Sequence, residues 1–113
     1  MSYDVYLNEP DTDNTMTVST RGIGGTYAVL SEGASYFDAW LNVTYNYSKI
    51  WGVYDIDGMT GAESISVLEA VVEENGTEQD GDYWNATPGN VGHMANTLLS
   101  WAREHPEGVW SVH

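Results

Sequence analysis

Asn42, Thr44 and Asn46 place an amide or a hydroxyl at every second position of one short stretch, and the residues around them are aromatic. Trp40, Tyr45 and Tyr47 supply flat apolar faces, and Ser48 adds another hydroxyl. Such a mixture suits recognition of a small polar or aromatic ligand, because binding pockets combine apolar walls with a few oriented polar groups. Tyr83-Trp84, further along the chain, can add a stacking surface. The competing reading makes the aromatics core and the Asn/Thr positions a solvated sheet face.

Groups that could catalyse a reaction are plentiful, but no spacing singles them out. Any two of the 17 acidic residues could be proposed as an acid–base pair. Ser31, Ser48, Ser64 and Ser66 lie in no nucleophile-elbow context. His93, His105 and His113 form no pair at i, i+4, and further zinc ligands are not evident. Asp55-Ile56-Asp57-Gly58 resembles the start of a calcium loop, but later ligands and the closing Glu are out of register, so a turn is expected. Gly22-Ile23-Gly24-Gly25 lacks the spacing and the Lys-Ser/Thr tail of a phosphate loop and reads as a glycine-rich hairpin or bulge. No catalytic residue, metal or cofactor is therefore assigned, and a non-enzymatic protein is expected.

The elements that must position these groups follow from periodicity. Tyr3, Val5 and Leu7 alternate with Asp4 and Tyr6, which predicts a first strand over Tyr3–Leu7. A polar turn-rich loop follows from Glu9 to Thr15, and Met16 to Thr20 alternates weakly. Thr26–Leu30 reads as a second strand. Val43, Tyr45 and Tyr47 oppose Asn42, Thr44 and Asn46, so a strand is expected over Trp40–Tyr47. A helix remains the alternative, because Trp40, Val43, Tyr47 and Ile50 are three or four apart. Ile50–Tyr54 extends the sheet or forms a short turn.

Two helices are marked more plainly. Thr60-Gly61-Ala62-Glu63 is a capping box, Ile65, Leu68, Val71 and Val72 form an apolar stripe, and Asn75-Gly76 supplies a stop. Thr87-Pro88 opens the other helix, and Val91, Met94, Ala95, Leu98, Leu99 and Ala102 keep helical spacing. Arg103 and His105 lie near the negative end of its dipole, and Pro106 ends it. Val109–Val112 can add a terminal strand. The expected class is α+β: a small mixed or antiparallel sheet with two packed helices, forming a single domain over 1–113.

Charge narrows the setting. Three basic residues, Arg21, Lys49 and Arg103, face 17 acidic ones, for a net charge of −14. Such a chain repels itself in dilute buffer, and salt screens the repulsion. With a single Lys and dispersed carboxylates, the pattern reads as adaptation to a salty interior. Acidic mimicry of nucleic acid is the alternative. Direct nucleic-acid binding is disfavoured, because three basic residues cannot track phosphates. No apolar run reaches membrane-spanning length, so no membrane partner is expected. Met1-Ser2-Tyr3-Asp4 lacks signal-peptide character and there is no Cys, which suggests an intracellular protein.

Five segments resemble, as an ordered set, a widespread uncharacterised family of small proteins encoded by bacteriophages and related viruses. They are Gly24–Ala28, Leu41–Ser48, Gly58–Ile65, Tyr83–Thr87 and His105–Trp110. The resemblance spans about Tyr3 to the C-terminus and carries no activity with it. That viral setting, together with the missing catalytic constellation, leads to the expectation of an accessory protein of the host cytoplasm, an inhibitor or sponge, that binds a host protein or a small nucleotide-like signalling ligand. The candidate ligand-binding residues are Asn42, Thr44, Tyr45, Asn46, Tyr47, Ser48, Tyr83 and Trp84. A virion structural or assembly component, which would form a homo-oligomer, and an enzyme of unknown type are the other expectations.

Overall fold

Thr60 opens the first helix as its sequence requires. Its hydroxyl accepts the Glu63 N–H at 3.1 Å, and the Glu63 carboxylate accepts the Thr60 N–H at 2.9 Å. Helix α1 then runs over Gly61–Asn75 and ends at Gly76, whose φ of 72° suits glycine. The Thr87 hydroxyl accepts the Asn90 N–H, Pro88 takes the first turn, and α2 runs over Pro88–Glu104. The computed structural model describes residues 2–19 and 36–113. The expected Thr26–Leu30 strand and the Gly22–Gly25 cluster lie outside the described residues.

Five strands complete the described fold: β1 Ser2–Asn8, β2 Thr17–Val18, β3 Phe37–Asp38, β4 Trp40–Thr44 and β5 Val109–Val112. They form an antiparallel sheet of order β4-β1-β5 and an antiparallel β2-β3 pair. The register sets Val5 opposite Leu41 and Val112, and Leu7 opposite Trp110. Because side chains alternate, these residues share one buried face. Asp4, Tyr6, Trp40, Asn42 and Ser111 share the other face and are half-buried.

The helices cover the apolar face as unequal layers. Helix α1 buries a narrow strip, Gly61, Ser64, Leu68 and Val71. Helix α2 is buried around most of its circumference and forms the centre of the core. Its Trp101 stacks on Trp110 of β5, with centroids 6.5 Å apart. The Trp110 indole donates to Ser64 Oγ at 2.7 Å, and Ser64 passes the bond to the Gly61 carbonyl. The sheet and α1 thus share one buried polar chain, and α2 meets it through the Trp101–Trp110 stack within an apolar core. Gly92 lets α2 touch the end of α1, since a Cβ there would overlap the Gly76 carbonyl oxygen.

The strand expected over Trp40–Tyr47 stops at Thr44. The Thr44 hydroxyl accepts the Asn46 N–H at 3.3 Å and caps a 3₁₀ turn over Tyr45–Lys49. Local capping overrides the alternating pattern there. Thr44 is consequently buried and Asn46 exposed, so Asn42, Thr44 and Asn46 do not share one solvated face. Ile50–Tyr54 does not extend the sheet; Val53–Ile56 forms a second 3₁₀ turn. Asp57, in the segment likened to a calcium loop, accepts the Val112 N–H at 2.9 Å and so guards the outer edge of β5.

Candidate functional site

The segment around Asn42 and the Tyr83-Trp84 pair, 41 residues apart between Asn42 and Tyr83, are joined by hydrogen bonds. The Tyr83 phenol donates to the Asn42 carbonyl at 2.9 Å and accepts the Thr44 N–H at 3.4 Å. One hydroxyl thereby occupies the outer edge of β4, where another strand would otherwise pair. The Tyr47 phenol donates to the Tyr83 carbonyl at 2.6 Å, and the Asn46 amide donates to the Trp84 carbonyl at 3.1 Å. Burial, then the neighbouring Tyr83 and Asp82, pushes the Tyr47 pKa up, so Tyr47 remains a protonated donor. Burial also raises Tyr83, partly offset by the Thr44 N–H.

From below, α2 fixes the same loop. Asn90 is buried in the first turn of α2 and its carboxamide is fully engaged. Its oxygen accepts the Asp80 N–H at 2.8 Å, and its nitrogen donates to the Asp82 and Asn85 carbonyls at 3.1 and 3.0 Å. Asp82 Oδ1 accepts the Trp84 N–H at 3.0 Å. The Trp84 backbone is therefore held on both sides, while its side chain remains 45% exposed and meets the Tyr83 ring edge-on at 5.2 Å.

The sequence-derived candidates divide into two groups. Asn42, Thr44, Asn46, Tyr47 and Tyr83 are brought together, but their polar groups bond within the protein. The Asn42 amide donates to Ser2 Oγ at 2.8 Å and to Asp4 Oδ1 at 3.1 Å. Tyr45, Ser48 and Trp84 face solvent. Tyr45 packs on Tyr3 at 4.5 Å, and Tyr3 lies 6.2 Å from the exposed Tyr54, forming a second aromatic surface. Tyr3, Tyr54 and Asn90 are not among the sequence-derived candidates. For Asn90 a signal existed, since it occupies the N3 position after the Thr87-Pro88 cap.

Other reactive side chains are engaged structurally. Ser19 donates its N–H and hydroxyl to the Glu104 carboxylate, the hydroxyl at 2.7 Å. Burial raises the Glu104 pKa, but these bonds and His105 outweigh it, and the net shift is downward. The His105 Nε2 lies 2.7 Å from the Thr17 carbonyl, and burial lowers the His93 pKa. Among the described residues, no three His, Cys, Asp or Glu stand where they could hold a metal ion, and no helix is long and apolar enough to cross a membrane. No protein-family model, curated protein or solved structure matches the chain.

Proposed function

We propose that the protein is a non-enzymatic binding protein that grips a basic segment of a host macromolecule through Trp84. The observation that carries this reading is the mounting of Trp84: an exposed indole on a backbone already fixed by Asn46, Asp82 and Asn90. Rigid aromatic anchors lose little freedom on binding and dominate interface energetics. Charge supplies the partner's chemistry. Asp80 and Asp82 share the loop with Trp84, every described carboxylate but the half-buried Asp4 is exposed, and the net charge is −14. An Arg or Lys laid on the indole gains a cation–π contact with carboxylates nearby. A small-ligand pocket is less well supported, because the amides and hydroxyls at 42–47 bond inside the protein.

The resemblance to small virus-encoded proteins supplies the setting, an accessory factor of the host cytoplasm that occupies a basic surface. Selection from a random peptide library tests this reading. Enrichment of Lys/Arg-rich sequences by the wild type, lost with Trp84→Ala, is the expected result. Enrichment of neutral or acidic sequences, or undiminished enrichment by Trp84→Ala, overturns it.

A further inference from the structure

Asn8, the last residue of β1, is only 9% exposed, yet its carboxamide is half used. Its oxygen accepts the Thr15 hydroxyl at 3.3 Å, and its nitrogen meets no partner among the described residues. A buried N–H without an acceptor is costly, so such a group calls for an explanation. Asn8 lies where two adjoining clefts meet, about 410 and 350 Å³ in volume, which also share Asp13 and Ser111. The size suits a small ligand or one long side chain.

The walls of the groove differ in character. The loop side carries the carboxylates of Glu9, Asp11 and Asp13. Asp13 meets neither a hydrogen-bond donor nor a cation among the described residues. The sheet side carries Ser111, whose Oγ lies 2.6 Å from His113 Nε2, and Tyr6, whose ring lies 6.2 Å from that of His113. An occupant must therefore bring positive charge and N–H donors to Asp13, an acceptor to the Asn8 amide, and a flat surface to Tyr6.

We propose that this groove binds an arginine residue of a polypeptide. The planar guanidinium pairs with the Asp13 carboxylate through two parallel hydrogen bonds and lies against Tyr6, while a peptide carbonyl accepts from Asn8 Nδ2. A lysine ammonium would satisfy the charge without the planar fork. This site is separate from the Trp84 surface and does not depend on the reading of that surface.

The test uses N-acetyl-L-argininamide, with the neutral isostere N-acetyl-L-citrullinamide as control, on the ¹⁵N-labelled full chain at low ionic strength. The side-chain amide signals of Asn8 should shift saturably with the arginine probe, with the same midpoint in Trp84→Ala as in the wild type. The citrulline probe should bind at least about tenfold more weakly, as a charge-assisted pair requires. Asp13→Asn is exposed and isosteric, so it keeps the fold and should weaken arginine binding by about tenfold or more. Equal binding of both probes, shifts that never saturate, or wild-type affinity in Asp13→Asn would overturn the proposal.

Discussion

The Tyr83 hydroxyl lies 2.9 Å from the Asn42 carbonyl and bridges it to the Thr44 N–H, so a loop phenol closes the free edge of β4. This contact turns an open sheet edge into a mount for the neighbouring Trp84. Removing the hydroxyl alone leaves the ring packing against Tyr47, at 5.5 Å, in place. Tyr83→Phe is expected to cost about 1–2 kcal/mol, because a buried N–H and a carbonyl lose their partner. Urea unfolding at fixed salt measures it, and unchanged stability would show that water replaces the phenol freely.

Asn90 is expected to matter more to the loop than any residue within it. Asn90→Ala removes three hydrogen bonds from a buried position and should cost about 2–3 kcal/mol. Hydrogen exchange should accelerate across residues 80–85. Protection equal to that of the wild type would mean that the loop is held from the β4 side alone.

The capping box makes a prediction about pH. The Thr60 N–H and hydroxyl hold the Glu63 carboxyl below its ordinary value of 4.5. A folded-state pKa that is depressed contributes stability above the unfolded value, and that contribution is lost as pH falls through the folded value. Glu63→Gln should therefore lower the melting temperature near neutral pH, and the gap from wild type should close as pH falls through the depressed folded-state value of Glu63. Molar potassium chloride in both samples keeps the general repulsion constant. A gap that persists in acid would assign the effect to packing.

Salt gives a separate test of the acidic surface. The described carboxylates other than Asp4 are exposed, and acidic residues outnumber basic ones; among described residues the one Arg-carboxylate bridge joins Arg103 to Glu69 at 2.9 Å. Raising potassium chloride from about 0.1 M to 1 M shortens the screening length from about 10 to 3 Å. The melting temperature should rise, at roughly 4–8 °C for each kcal/mol of repulsion relieved. A flat or falling melting temperature would count against adaptation to salt.

Both helices were legible in the sequence because their signals are local. Thr60 and Glu63 are three residues apart, and so are Thr87 and Asn90, so each cap is written within one turn. The terminal strand allowed at Val109–Val112, after the Pro106 stop, is the observed β5. The Trp40–Tyr47 strand was overextended because Thr44 fits either a strand or an N-cap, and the hydrogen bond to Asn46 decides between them. The candidate site was legible as a set of residues and not as an arrangement. Asn42 and Tyr83 meet across 41 residues through a hydroxyl and a carbonyl, and no periodicity encodes such a contact. The Asn8 groove was hidden for the same reason, since it joins the two ends of the chain.

If Trp84 is the anchor for a basic partner, the most direct measurement observes that indole during binding. The chain has five tryptophans, and ¹⁹F-labelled tryptophan gives each its own signal, with Trp84→Phe assigning the one at 84. Titration with an Arg/Lys-rich peptide should move the Trp84 signal first and furthest, and Trp84→Ala should bind at least about tenfold more weakly at unchanged stability. A Trp84 signal that stays fixed while the peptide binds, or equal affinity in Trp84→Ala, would contradict the claim.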